Sequence, residues 1–381
     1  MNIKDLINNY SKIKEARLHG RYITNQSIES CLKDLEFNYE VIGRSVEERP
    51  IYGIQLGQGK NRVLMWSQMH GNESTTTKSI FDFFKVLKYD KEFSDFILEK
   101  CTLYIIPILN PDGAYNYTRL NANKIDLNRD AQDLSQPESR VLNTIFEAFN
   151  PHFCFNLHGQ RTIFGVGESG KSSSISFLAP AQDEERSITN NRKIAMTIVA
   201  DMYSTLNEYL IGHIGRYDDA FNINCVGDTF QSKGIPTILF EAGHINGDYN
   251  REEVRKYILV AMLKALTSIS KFNNKSCDYS TYNNILNNSK SFYDIIIRNA
   301  LINSNDKHSV DIAIQYDEVL IDEKIEFIPR IKAIANLSSF YGHVEIEAGR
   351  KVVKSSSGSV LKVTNEIDFV LLNNEKIALK P

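Results

Sequence analysis

The sequence predicts an α/β domain built on a mixed, largely parallel sheet flanked by helices, followed by a small β domain. Three observations carry this. Between about residues 50 and 270, short β-rich apolar runs alternate with longer segments whose apolar residues recur at three and four positions, the alternation expected of a sheet with crossover helices. After Lys271 the chain turns polar and turn-rich in FNNKSCDYSTYNN. Beyond it, VDIAIQY, KIEFIP, HVEIEA, VLKVT and IDFVLL alternate in period two, with Gly and Asn between the runs. A chain of 381 residues has room for one large core and an accessory module. The expected division is an N-terminal segment over 1–40, the α/β domain over 41–274 and a β-rich accessory domain over 275–381.

In chain order, the strands expected in the first domain are Ile51 to Leu56, Arg62 to Ser67, Thr102 to Leu109, His152 to Leu157, Ser174 to Leu178 and Pro236 to Phe240. Helices are expected from Thr75 to Leu87, Pro137 to Phe149, Ser187 to Tyr209 and Arg251 to Ile269. Pro137 followed by Glu138 suits a first helical turn, where a missing N–H costs nothing and an acid meets the helix dipole. Asn110-Pro111-Asp112-Gly113 reads as a turn, and a further helix is expected over Phe292 to Leu301. No internal repeat and no low-complexity tract is visible.

Composition narrows the partners. With 42% apolar and 24% charged residues, the chain has ordinary globular values. A net charge of -3 without a Lys/Arg stripe predicts no nucleic acid partner. No apolar stretch approaches the roughly 18 residues of a membrane span, and MNIKDLINNYSKIKEARLHGRY lacks the apolar core of a signal peptide, so a cytoplasmic location and no membrane partner are expected. Five cysteines without a CxxC pair suit reduced, buried thiols.

The residues suited to chemistry end apolar runs. His70 and Glu73, in Met69-His70-Gly71-Asn72-Glu73, follow RVLMWSQ and can face one metal if the chain leaves a strand there and opens a helix. HxxE alone is a common spacing. His158 ends a second run, HFCFNLH, and completes the two-imidazole, one-carboxylate set of catalytic zinc sites, which leave a fourth position open. Its bland reading is a satisfied histidine at a strand end. Glu241 ends PTILF, where an isolated carboxylate is costly unless it faces a polar or metal-bearing cavity. His19, His152, His213, His244, His308 and His343 have no partner at metal spacing and read as structural or surface residues; of these, His244 follows Glu241 by three residues, close enough in sequence to meet substrate.

The order of these motifs, HxxE, then NPDG, then Arg119-Leu120-Asn121-Ala122-Asn123-Lys124-Ile125-Asp126-Leu127-Asn128-Arg129, then the strand-terminal His158 and then Glu241, resembles the zinc carboxypeptidase family typified by carboxypeptidase A, over roughly residues 40 to 270. The resemblance implies one Zn2+ per chain held by His70, Glu73 and His158. It implies that Arg119 polarises the scissile carbonyl, that Asn128 and Arg129 grip the substrate's terminal carboxylate, and that Glu241 is the catalytic base. The residue types suit those roles, since an arginine fork meets a carboxylate bidentately and a preorganised cation stabilises an oxyanion. With a gap in the alignment, Tyr217 matches the family's mobile tyrosine. If Asp228 matches the family's acidic position there, Gly227 sits where side-chain preference is decided, and its lack of charge predicts no strong basic selectivity.

The expected activity is therefore hydrolysis of an amide bond next to a free carboxylate in peptides. Two alternatives stay open within hydrolases: a murein peptide amidase, or an N-acyl amino acid deacylase resembling aspartoacylase and succinylglutamate desuccinylase, which share HGNE and DLNR motifs and a C-terminal β domain. NPDG and the long stretch between His158 and Glu241 favour the peptidase. A non-catalytic binding protein is a third reading, weakened because every ligand and catalytic position is filled.

Overall fold

The computed structural model describes residues 2–35, 37–272, 277–355, 357–364, 366–373 and 375–381. The N-terminal segment forms three short helices, α1 (Ile3–Asn8), α2 (Tyr10–Ile13) and α3 (Asn25–Lys33). The strands β1 (Tyr39–Arg44), β2 (Pro50–Leu56) and β3 (Asn61–Ser67) follow, then α4 (Thr75–Tyr89), α5 (Lys91–Lys100), β4 (Cys101–Ile106) and α6 (Pro111–Asn116). Next come α7 (Pro137–Phe149), β5 (Phe153–Gly159), β6 (Phe164–Val166), β7 (Ile175–Leu178), α8 (Asn190–Leu206) and β8 (Ile214–Arg216). The domain closes with α9 (Val226–Ser232), β9 (Thr237–Ala242) and α10 (Glu252–Lys271).

Eight strands form one sheet in the order β1-β2-β4-β3-β5-β9-β7-β8. The central run β4, β3, β5, β9 is parallel, and antiparallel neighbours flank it at β2 and β7. Side-chain period two explains why the central strands read as unbroken apolar runs. On β3, Val63 and Met65 enter one core while Leu64 and Trp66 enter another; on β4, Leu103 and Ile105 oppose Tyr104 and Ile106 in the same way. The first core is covered by α4, α8 and α10, and receives Leu6, Ile13, Ile28 and Leu32 from the N-terminal helices. The second is covered by α7 and α9 through Leu142, Phe146, Val226 and Phe230. Among the described residues no helix is long and apolar enough to cross a membrane.

The division expected between 274 and 275 falls at residues 273–276, outside the described residues. Beyond them lie α11 (Ser280–Asn283), β10 (Asn288–Lys290), β11 (Phe292–Ala300), β12 (Val310–Ile321), β13 (Lys324–Ala335), β14 (Tyr341–Glu347), β15 (Val353–Ser355), β16 (Phe369–Leu372) and β17 (Glu375–Ala378). A four-stranded sheet, β13-β12-β11-β14, packs with a three-stranded one, β15-β16-β17, over a core containing Ile295, Ile297, Ile312, Ile314 and Ile331.

Two expectations are corrected. Phe292 to Leu301 is not helical. It is β11, paired antiparallel with β12 and parallel with β14, and its β-branched run Ile295-Ile296-Ile297 suits a strand buried on both sides. The NPDG turn is the start of α6: the Asn110 side chain accepts from Gly113 N (2.8 Å), and Pro111 occupies the first turn, where its missing N–H is harmless.

Candidate metal centre and catalytic cleft

The sheet's parallel strands deliver their carboxyl ends to one edge, the usual location of a site in an open α/β sheet. His70 follows β3 and is buried; Glu73 sits one turn on, its N–H bonded to the carbonyl of His70 (3.1 Å), just before α4. Gly71 between them lies so close to the backbone of Gly113 and Ala114 that a Cβ would overlap them. The HGNE and NPDG motifs are thus two halves of one backbone contact. His158 is the last residue but one of β5, Glu241 the last but one of β9, and the two are register partners in the parallel pair.

Three donors converge. His70 Nδ1 lies 3.0 Å from Glu73 Oε1, His158 Nδ1 lies 2.9 Å from Glu73 Oε2, and the two imidazole Nδ1 atoms are 3.1 Å apart. Four-coordinate zinc with bonds of about 2.0–2.1 Å holds its ligand atoms roughly 3.3–3.4 Å apart; the two nitrogens stand near that spacing, each faces an oxygen of Glu73, and one ligand atom from each residue lies within 4.8 Å of the others. His70 Nε2 faces Asp126 Oδ1 at 3.0 Å, which leaves Nδ1 to present a lone pair to a metal. Asp126 was quoted in the sequence motif without a role. The structure makes it the carboxylate that orients His70, and its Oδ1 also accepts from Asn128 N (2.9 Å).

Electrostatics follow from this packing. Burial pulls the pKa of His70 down, but the charge of Glu73 and the hydrogen bonds of Asp126 and Glu73 outweigh it and raise it. At His158 burial wins and the pKa is lowered. Burial opposes ionisation of Asp126 too, yet His70 and Arg119 hold it below the usual carboxylate range. Glu241 is pushed well up, first by burial and then by the charge of Glu73, and its Oε2 is buried without a hydrogen-bond partner among the described residues.

The other expected residues line the same cleft, a cavity of about 610 Å³. Arg119 forks onto Asp126 through Nε (3.2 Å) and Nη2 (3.1 Å), and its Nη1 reaches Glu73 Oε1 (3.3 Å) beside the metal donors. Asn128 and Arg129 occupy a 3-10 turn, Leu127–Arg129. The side-chain oxygen of Asn128 accepts from Val226 N at the start of α9 (3.1 Å), so its NH₂ group remains for a ligand. Arg129 is exposed, donates to the carbonyl of Asn128 (2.7 Å), and among the described residues has no ion-pair partner. Tyr217 also lines the cleft, its ring against Phe164 with centroids 5.4 Å apart. Gly227 and Asp228 line the cleft as well; burial raises the carboxyl of Asp228 to about 6.

His244 does not join them. It is buried against Tyr249 and His343, with ring centroids 4.6 and 4.4 Å away, because the chain turns after Ala242 toward β14 and away from the cleft. Residues that sequence reasoning passed over, Gln160 and Asn156 among them, also line the cavity; their signal was their position beside His158 on a strand end.

Comparison with known proteins agrees with this geometry. Residues 36–140 match the zinc carboxypeptidase family model. The chain is 30% identical over 99 residues to carboxypeptidase 2 of Trichophyton rubrum, covering 26% of this chain and 18% of that protein. It is 25% identical over 189 residues to carboxypeptidase SOL1 of Arabidopsis thaliana, covering 43% and 38%. The match therefore spans under a fifth of the fungal relative and under half of the plant one. Among solved structures, a metallo-carboxypeptidase from Burkholderia cenocepacia superposes with TM-score 0.52 at 17% identity, covering 65% of this chain and 69% of that one. Carboxypeptidase A from Helicoverpa armigera gives 0.52 at 14% identity, covering 71% and 81%. The likeness to the zinc carboxypeptidase model is confined to residues 36–140, and the α/β domain shares its fold with the solved metallocarboxypeptidases.

Proposed function

We propose that this zinc carboxypeptidase domain removes the C-terminal residue of peptides by hydrolysing the last amide bond, with one zinc ion per chain held by His70, Glu73 and His158. The observation that carries the reading is that one cavity is lined by the three converging donors, the partnerless carboxylate oxygen of Glu241 and the unpaired guanidinium of Arg129. A zinc ion at those donors supplies Lewis acidity, which acidifies water and polarises a carbonyl.

This chain's own residues do the rest. Arg129, with the NH₂ group of Asn128, holds the free carboxylate of the substrate, which sets the scissile amide one residue inward. Arg119, already at the donors, stabilises the negative charge that develops on the carbonyl oxygen. Glu241 accepts a proton from the attacking water at its partnerless oxygen and returns it to the leaving nitrogen as the C–N bond breaks. Water is consumed, and a free amino acid and a shortened peptide leave. A cytoplasmic site of action belongs to the same proposal, supported by five free thiols, three of them buried.

The test crosses a substrate change with a side-chain change. Amidating the terminal carboxylate should lower kcat/KM at least about tenfold, as should Arg129→Ala, because a charge-assisted contact is worth about 1.5–3 kcal/mol. Both together should cost little more than either alone, since each removes one side of the same contact. Equal cleavage of amidated and free peptides by the unaltered protein overturns the reading. Turnover of N-acyl amino acids without turnover of peptides replaces it by the deacylase.

A further inference from the structure

A third arginine lines the cleft with Arg119 and Arg129. Arg161 follows His158 by three residues, on the stretch between β5 and β6, and is exposed. Among the described residues it has neither a hydrogen-bond nor an ion-pair partner, yet the chain on both sides of it is locked. Gln160 and Thr162 are buried. Gln160 N donates to the carbonyl of Ala242 (2.9 Å), its Nε2 donates to that of Ser173 (2.9 Å), and its own carbonyl accepts from Arg251 Nη2 (3.1 Å). Thr162 is held by the β-rich domain: its hydroxyl accepts from Gln315 Nε2 on β12 (2.6 Å), and its carbonyl accepts from His343 Nε2 on β14 (2.8 Å). The Arg161 side chain therefore leaves the cleft wall from a fixed point, and only its own rotamers remain to be ordered when a ligand binds.

The anions of the cleft leave this guanidinium uncompensated. Glu73 faces the two imidazoles, and Asp218 accepts from Ala220 N (2.8 Å) with Arg186 3.7 Å away. Burial pushes the carboxyls of Glu241 and Asp228 up, away from the charged form. Arg119 is engaged by Asp126 and Glu73, so two guanidiniums without an ion pair remain, Arg129 and Arg161. They are held from opposite faces of the sheet. The turn of Arg129 is tied through Asn128 to α9, which covers the second core, whereas Gln160, beside Arg161, is tied to Arg251 just before α10, which covers the first. His158 and Glu241 lie at the edge of the sheet that divides those faces. A neutral substrate against Arg161 would strip water from a cation without replacing its hydrogen bonds; a carboxylate there supplies them bidentately.

We infer that Arg161 is a specificity-determining residue that binds a carboxylate on the acyl side of the scissile bond, so that the preferred substrate carries an acidic side chain on the residue preceding the one released. This rests on the carboxypeptidase reading above: with the terminal carboxylate on Arg129 and the last amide at the metal donors, the preceding residues extend across the sheet edge toward Arg161. An arginine that merely keeps the rim of the cleft hydrated would treat an acidic side chain and its amide alike.

The experiment uses the full chain loaded with zinc and N-terminally blocked peptides with one common C-terminal residue, differing only in Glu, Gln or Lys before the scissile bond. The readout is the ratio of kcat/KM values, with zinc content and melting temperature measured alongside. The unaltered protein should favour Glu over Gln by roughly five- to tenfold, between the scale of an exposed ion pair and that of an enclosed charge-assisted hydrogen bond. Arg161→Gln should bring that ratio to within about twofold of one, and Arg161→Glu should reverse the order so that Lys is favoured over Glu. Moving the Glu two residues further from the scissile bond should abolish the preference in the unaltered protein. The inference is overturned if the unaltered protein does not separate Glu from Gln, if Arg161→Gln keeps the preference, or if the displaced Glu retains it, which would mark a diffuse field and not a contact. Failure of the carboxypeptidase reading is told apart from these, since it shows in the unaltered protein as indifference to amidation of the terminal carboxylate.

Discussion

Gly71→Ala tests whether the HGNE segment is placed by its backbone contact with NPDG. A Cβ at residue 71 would overlap the carbonyl carbon of Gly113 and the nitrogen of Ala114, and both are backbone atoms that cannot rotate away. Restoring an ordinary carbon contact of about 3.5 Å requires one segment to move by more than roughly an ångström. Overpacking of this kind costs about 1–3 kcal/mol in stability. The functional cost should be larger, because the segment that moves carries His70 and Glu73, and metal–ligand bonds tolerate only about 0.2 Å. A misplacement of about 1 Å lowers activity by about a hundredfold. Gly159→Ala is the matched control: its Cβ would meet Glu73 Cβ at 3.5 Å, an ordinary contact, so zinc should be retained. The assay is zinc per chain by elemental analysis after dialysis, with melting temperature in parallel. Gly71→Ala protein with parental zinc content and melting temperature would refute the reasoning.

Two further outcomes follow from the site and from its far side. Glu241→Gln should leave folding and zinc intact and lower turnover by at least about a hundredfold, the scale of a lost general base; near-normal turnover would remove Glu241 from the mechanism. Asp294 concerns stability and pH. Burial raises its carboxyl from 3.8 to about 6, against opposing hydrogen bonds from Tyr316 N, Thr162 and Tyr249. Between about pH 4 and 6 the folded state therefore keeps a proton that the unfolded state has released, so this group makes unfolding easier as pH rises through that window, by up to about 3 kcal/mol. Asp294→Asn should remove that slope. Urea midpoints of the two proteins that fall in parallel from pH 4 to 7 would contradict the assignment.

That His70, Glu73, His158 and Glu241 share one cleft was legible because each closely follows or ends an apolar run, and a strand end at a sheet's carboxyl edge is the place where such a residue can face a cavity. The strands themselves were legible for the same physical reason: central parallel strands are buried on both faces, so they leave continuous apolar signals such as RVLMWS and FCFNL. What escaped was set by contacts remote in sequence. β11 reads locally as a helix with apolar residues at close spacing, and only pairing with β12 and β14 makes it a strand. Asp126 stood inside a recognised motif, but its task of orienting His70 spans 56 residues.

The spacing between His158 and Glu241 also depends on a residue outside the motifs. His158 and Glu241 are neighbours across β5 and β9, one residue before each strand ends, and the ladder closes just beyond them with Gln160 N donating to the carbonyl of Ala242 (2.9 Å). Arg251, buried at the start of α10, donates through Nη2 to the carbonyl of Gln160 (3.1 Å) and through Nη1 to that of Ala242 (3.3 Å). These carbonyls lie two residues past His158 and one past Glu241. One planar guanidinium thus ties the two strand ends together just beyond the chemistry, as a fork of fixed geometry can and a lysine cannot. Burial lowers the pKa of this arginine to about 10, with the neighbouring Arg21 adding to the effect, which leaves it a cation at neutral pH, balanced in part by Glu318 on β12. Glu318 also accepts from Arg21 Nη2 (3.0 Å) and from the hydroxyl of Tyr117. The β-rich part of the chain therefore reaches the back of the cleft through Glu318, behind the strand ends that carry His158 and Glu241.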